Sequence, residues 1–145
     1  ISIPVTLDFD VAIDLAAGGA AVMGAEIVVS FDGTIVRLNA VTAGDWFTAS
    51  GQNYYFHDYT TPGAGTIHFA SALLGDDRVA DGTLAVCNFT ALAVGVSPLV
   101  FVDVDVRDGT NLDLGAEHSV GDLIIIQRAI PNESSAWGDV KALWR

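Results

Sequence analysis

Ile1, Ile3, Val5, Leu7, Phe9, Val11, Ile13 and Leu15 are apolar, and Ser2, Pro4, Thr6, Asp8, Asp10, Ala12 and Asp14 separate them. This unbroken period of two predicts a β-strand with one buried and one wet face. At ~3.3 Å per residue it would reach ~50 Å, well past a typical strand. Such a strand needs a partner along its length.

The same period returns further along. Ala25, Ile27, Val29 and Phe31 alternate with Glu26, Val28, Ser30 and Asp32, and Asp32-Gly33 is a hairpin turn signal. Residues 35 to 41 read as a short strand, followed by a turn at Ala43-Gly44-Asp45 into Trp46-Phe47. An aromatic segment, Tyr54 to Tyr59, lies between turn-rich stretches. It predicts either a short strand whose rings cover one end of the core or an aromatic platform for a ligand. Residues 66 to 73 place Ile67 and Phe69 on one face and His68 on the other. Residues 83 to 94 form a long apolar strand, broken at Ser97-Pro98. Val100, Val102, Val104 and Val106 then alternate with Phe101, Asp103, Asp105 and Arg107, and residues 123 to 126 are a last buried strand. Eight or so strands with frequent turn signals and no amphipathic helix before residue 130 predict an all-β sandwich.

Beyond Pro131 the pattern changes. A polar linker leads to a tail holding Trp137 and Trp144, two of the three tryptophans. Helical spacing groups Trp137, Val140 and Trp144; strand spacing groups Ala136, Gly138, Val140, Ala142 and Trp144. The expected division is a sandwich over 1–128 and a linker with tail over 129–145.

Composition narrows the function. Of 145 residues, 18 are acidic and 6 are Lys or Arg, a formal net charge of -12. Neutralising phosphates requires Lys and Arg, so nucleic acid is not an expected partner, and neither is an anionic membrane surface. No stretch of about 18 apolar residues predicts a membrane-spanning helix. The single cysteine, Cys87, allows no internal disulfide and sits in an apolar run, where it reads as a small core hydrophobe. A chain starting at Ile1 reads as a processed mature protein or a piece of a longer one.

Candidate chemistry is sparse. Asp103, Asp105, Asp108 and Asp113 with Asn111 superficially resemble a calcium loop but lack its D-x-[DN]-x-[DN]-G spacing. A Ca²⁺ site there is the only cofactor expectation, and wet-face aspartates are the simpler reading. His57, His68 and His118 form no HExxH, no serine lies in G-x-S-x-G, and no acid pair stands out for glycoside hydrolysis. No enzyme is expected. Asn88-Phe89-Thr90 and Asn132-Glu133-Ser134 are glycosylation sequons, the first inside a core strand. Trp46, Tyr54, Tyr55 and Tyr59 are the candidate ligand platform, suited to a sugar or a protein.

Residues 24 to 47, with Phe31-Asp32 leading to a short strand and then Gly44-Asp45-Trp46-Phe47, resemble the cohesin-like module. Residues 65–70, 81–89 and 120–125 resemble its later strands, so the likeness covers about 1–127. It implies a jelly-roll sandwich of eight to nine strands from secreted, multi-protein assemblies, in which cohesins bind dockerin modules through one sheet face. Residues 2–7 resemble the second strand of that family, with the first strand and its turn missing. That departure, the long N-terminal alternation and the Trp-bearing tail give the leading expectation: an extracellular subunit that assembles with copies of itself into a filament or array by strand or tail exchange. The interface would use Ile1, Ile3, Val5, Leu7 and Phe9 with Trp137, Val140, Leu143 and Trp144. The alternatives are a cohesin-like protein-binding module of a cell-surface scaffold and a carbohydrate-binding module.

Overall fold

The computed structural model describes residues 2–4, 6–116 and 123–127. They form ten strands and one short helix: β1 (Ser2–Pro4), β2 (Asp8–Leu15), β3 (Gly24–Ser30), β4 (Val36–Ala43), α1 (Asp45–Thr48), β5 (Tyr54–Asp58), β6 (Thr66–Leu73), β7 (Gly82–Ala91), β8 (Gly95–Pro98), β9 (Val100–Arg107) and β10 (Leu123–Gln127). One layer has the order β5-β6-β3-β9; the other holds β2-β7-β4 and the smaller sheet β1-β10-β8. All pairings are antiparallel except β1 with β10, which is parallel.

Alternation drives the assembly. In β6, Ile67, Phe69, Ser71 and Leu73 are buried while the residues between them are half-exposed. In β7, Ala85, Cys87, Phe89 and Ala91 point inward. Leu84 is buried as well, because the β2–β7 register shifts beyond Ile13, pairing Asp14 with Thr83 and leaving Leu84 as the extra residue. The two inner faces meet in a core whose largest members are Trp46, Phe47, Phe69 and Phe89. Phe89 stacks on Phe9 of β2 at 5.7 Å and meets Phe31 edge-on at 5.3 Å, tying the layers together.

The structure corrects the single fifteen-residue strand. The alternation is broken around Thr6, whose φ of 74° is unusual for a β-branched residue. Thr6 N–H donates to Ala91 O and Ala91 N–H donates to Leu7 O, both at 3.0 Å, so β7 grips the break from one residue. On one side β1 lies beside β10; on the other β2 pairs with β7. Ser2–Pro4, within the segment expected to lie beside an unfilled strand position, pairs with β10 of the chain itself. Among the described residues β2 has no partner on its second edge. The second break, after Ala91, makes β8 a separate strand; its buried Ser97 accepts a hydrogen bond from the Asp32 amide at 2.8 Å.

Helix α1 is one turn long and exists because of close approach. Gly44 N–H donates to Leu84 O at 2.9 Å, and a side chain at Gly44 would collide with the Thr83 carbonyl. That contact drives Trp46 and Phe47 into the core.

Candidate docking face

The outward residues of the β5-β6-β3-β9 sheet line up in rows set by the strand register. One row is Tyr55, Ala72, Gly24 and Arg107; the next is His57, Ala70, Glu26 and Asp105; in a third, His68, Val28 and Asp103 are aligned, and Tyr59 N–H donates to His68 O at 2.8 Å. An aromatic chain runs along β5 and crosses to β6 on this face. Tyr55 stacks on His57 at 6.3 Å, His57 meets Tyr59 at 4.2 Å, and Tyr59 meets His68 at 5.4 Å. His68 Nε2 then lies 2.8 Å from Glu26 Oε2. The Tyr55 and Tyr59 hydroxyls share a hydrogen bond of 2.8 Å, which raises the Tyr55 phenol above its ordinary pKa, with burial adding to the shift. Tyr55 and Tyr59 are 42% and 46% exposed, so these rings are held in place while facing solvent.

The opposite outer face, on β2-β7-β4, is different. Its polar side chains satisfy one another: Thr90 Oγ1 to Asp8 at 2.6 Å, Asn88 Nδ2 to Asp10 at 2.8 Å, and Asn39 Nδ2 to Asn88 and Thr90 at 2.9 and 2.8 Å. Arg37 donates to Asn39 and Thr90. The Asn88 amide of the first sequon is therefore committed to Asp10 and Asn39 within this network.

The expected ligand platform divides. Trp46 is corrected: it is 1% exposed, its Nε1–H donates to Ala80 O at 2.8 Å, and the Arg78 guanidinium lies 5.6 Å from its ring. Tyr54 leans on buried Phe47 at 5.7 Å. Tyr55 and Tyr59 remain exposed on the outer face of the β5-β6-β3-β9 sheet. Strand alternation turns Phe56 inward to stack on Phe69 at 5.2 Å, as a strand covering the core requires, and leaves Tyr55 and Tyr59 facing solvent. His57, His68 and Glu26 complete this face, and sequence reasoning did not single them out as a site. The signal was the His68 position opposite Ile67 and Phe69, which becomes informative only when β3 brings Glu26 beside it.

Of the expected assembly residues, Ile1, Val5, Trp137, Val140, Leu143 and Trp144 lie outside the described residues, as does the second sequon at Asn132. Ile3 falls in β1; Leu7 is half-exposed, and Phe9 packs against Phe89. The four aspartates of the calcium expectation have separate tasks. Asp105 binds Arg107 at 3.0 Å, Asp108 caps its own turn through Thr110 and Leu112, Asp113 accepts from Gly115, and Asp103 faces outward beside Val28. Among the described residues no three His, Cys, Asp or Glu side chains gather as a metal site. The thiol of buried Cys87 is pushed up to about 12, by burial first and then by the charges of Asp58 and Asp10. Among the described residues no helix is long and apolar enough to cross a membrane.

A cleft of about 550 Å³ lies between β4 and the β5–β6 loop, over Phe31, Val36, Leu38 and Pro62. Its charged groups do not converge: Arg37 is turned to Asn39 and Thr90, and Asp58 Oδ1 accepts from the Thr60 amide.

The described residues form a jelly-roll sandwich with Tyr55 and Tyr59 exposed on one outer sheet face. The cohesin domain family matches residues 5–127, and the chain belongs to that family. Solved structures with this fold include the seventh ScaB type I cohesin from Pseudobacteroides cellulosolvens, 22% identical with a TM-score of 0.75, covering 91% of this chain and 90% of that one. A non-cellulosomal cohesin from the archaeon Archaeoglobus fulgidus is 14% identical with a TM-score of 0.72, covering 87% and 85%. The cohesin of a type I cohesin–dockerin complex from Clostridium thermocellum is 12% identical with a TM-score of 0.71, covering 88% and 94%. No curated protein matches the chain.

Proposed function

We propose that this chain is a non-catalytic protein-binding module of an extracellular or cell-surface scaffold, and that it takes a dockerin-type partner on the outer face of the β5-β6-β3-β9 sheet. Family membership supports the class of partner. The observation that carries the choice of face is the contrast between the two outer surfaces. One is a polar network already satisfied within itself; the other holds Tyr55, His57, Tyr59 and His68 ordered against one another yet open to solvent. Ordered aromatic groups bind with little further loss of side-chain freedom, and Tyr is enriched among residues that dominate interfaces. The test is calorimetric titration of the chain with a panel of type I and type II dockerin modules. One member should bind, Tyr55→Ala should weaken it by roughly 2 kcal/mol, and Asn39→Ala on the opposite face should not. Loss with Asn39→Ala and none with Tyr55→Ala would place docking on the other sheet.

Assembly of copies by strand or tail exchange is a second reading, and the edge of β2 that is unpaired among the described residues favours it. Asp8, Asp10 and Asp14 oppose pairing of two β2 edges with each other, so exchange would use a different donor segment. Size-exclusion chromatography with and without residues 129–145 separates the readings: two stable monomers would leave binding as the function.

A further inference from the structure

One flank of the sandwich is open. Among the described residues neither β4 nor β5 has a further strand on its outer edge. Between them lies the cleft of about 550 Å³, walled by β4 and the β5–β6 loop. Its apolar lining is Phe31, Val36 and Leu38 with Pro62 and Ala64, and Phe31 and Leu38 pack on the core while staying only partly buried. The polar side chains around it are turned to partners of their own. Arg37 and Asn39 serve the network on β7, Thr34 Oγ1 donates to Asp32 at 2.6 Å, and Thr60 Oγ1 accepts from the His68 amide at 3.0 Å. An occupant therefore meets apolar surface and one acid, Asp58, the only acidic side chain among the described lining residues.

The chain holds a segment of matching chemistry outside the described residues. Residues 136–145 contain Trp137, Val140, Leu143 and Trp144, with Asp139 against Lys141 and Arg145. The segment carries a net charge of +1, so the rest of the chain stands at -13 and attracts it. The cleft lies in the ~300–1,000 Å³ range that encloses a bulky ring system. The route to it is short. Ile126 of β10 pairs with Gly95, whose Cα abuts the Ile35 side chain, and Ile35 is followed directly by Val36 of the cleft. One step of ~5 Å between paired strands and one side-chain contact put the end of β10 roughly 15 Å from the cleft. The eight residues 128–135 can span up to about 26–29 Å, which is ample.

We propose that residues 136–145 fold back over this flank of their own chain and seat a tryptophan in the cleft, on Phe31, Val36, Leu38 and Pro62, with a tail cation facing Asp58. A tryptophan buries ~150–250 Å² when enclosed, so seating one offsets much of the ordering the segment undergoes. The seat lies on a different surface from the docking face and stands whether or not a dockerin binds. It does touch that face at one point: Asp58 and Thr60 of the cleft wall flank Tyr59, so a seated tail braces that end of the aromatic chain.

The test uses the full chain, isotope-labelled, and reads the indole N–H signals of Trp137 and Trp144 by NMR. A nitroxide on Thr61→Cys, at the cleft, should broaden both signals; one on Leu112→Cys, exposed beyond the far end of β9, should leave them sharp. Cys87 is buried and takes no label. One of the two indoles should exchange its hydrogen at least about tenfold more slowly than in a free peptide of residues 134–145. Ala64→Arg, which fills the cleft and repels the tail cations, should remove that protection, and the Trp46 indole signal, held by Ala80 O, reports that the fold is intact. Asp58→Lys should lower the protection several-fold. Sharp signals with the Thr61→Cys label, or equal broadening from both labels, would overturn the seat, as would protection that survives Ala64→Arg. Protection indifferent to Asp58→Lys would overturn the charge contact. Mixing nitroxide-bearing chains without isotope with isotope-labelled chains shows which copy is seated: broadening across that mixture would put the tail in a neighbour's cleft and overturn the intrachain contact.

Discussion

Replacing Trp46 by Phe tests whether this residue is an anchor of the core. The indole is 1% exposed and touches Phe47 edge-on at 4.9 Å. Phenylalanine keeps one six-membered ring in that space. Lost first is the hydrogen bond from Nε1–H to Ala80 O, worth about 1 kcal/mol. Lost second is the contact with the Arg78 guanidinium, about 0.5–1 kcal/mol at a partly exposed site. The space left by the missing ring, roughly 40 Å³, costs about 1 kcal/mol at ~24 cal/mol per Å³. The sum is about 3 kcal/mol, a large share of the ~5–15 kcal/mol that holds an ordinary domain folded. In a chain of this size that lowers the melting temperature by roughly 6–12 °C. Urea and thermal unfolding followed by far-UV circular dichroism measure it without depending on tryptophan emission. A Trp46→Phe protein within about 0.5 kcal/mol of the parent would refute the anchoring. If it also lost ligand binding, Trp46 would belong to a surface platform after all.

Other outcomes follow from the same geometry. Gly44→Ala should destabilise by about 1–3 kcal/mol in chemical denaturation, because the new methyl meets the Thr83 carbonyl and α1 has to move; an unchanged midpoint would show that the approach is not tight. Cys87 should resist thiol reagents at pH 8 in the folded chain and react at once in denaturant, and its raised pKa means that stability declines as pH climbs from about 9 toward 12, a decline that Cys87→Ala should reduce. The Asp32 and Asp108 carboxyls are lowered by hydrogen bonds from the side chains of Thr34 and Thr110 first, with backbone amides adding. Their stabilisation is therefore complete above the ordinary carboxylate pKa of 3.8 and is lost as pH falls below it, so Asp32→Asn and Asp108→Asn should flatten the acid limb of the stability curve; an acid limb as steep as the parent's would exclude both.

Much of the architecture could be read from period-two alternation, because a sandwich sorts residues by face and the chain writes that sorting into Ile67-His68-Phe69 and Ile27-Val28-Val29 alike. The outward turn of Asp103 and Asp105 was legible for the same reason. The division of the first strand was not. Thr6 adopts its positive φ where Ala91, eighty-five positions away, accepts from the Thr6 N–H and donates to the Leu7 carbonyl, and no local pattern carries that. Trp46 misled for a related reason. Its neighbours Gly44 and Asp45 read as a surface turn, yet Asp45 Oδ1 accepts from the Thr83 amide at 2.8 Å and folds that turn down onto β7. The proposed docking face was half visible. Tyr55 and Tyr59 could be named, but the role of His68 depends on Glu26, forty-two positions earlier.

The parallel pairing of β1 and β10 has a mechanical consequence. Ser2 lies opposite Ile125 and Pro4 opposite Gln127, so the chain arrives and departs along one line and in one direction. Tension applied to the two ends loads this ladder lengthwise. Its hydrogen bonds, lying across the pull, must fail together in shear instead of opening one after another like a zipper. The load would pass from β1 into β10 and its buried Ile124 and Ile126, leaving the aromatic sheet outside the direct path of the force. A module so strung can carry tension along its length while the proposed binding surface keeps its shape.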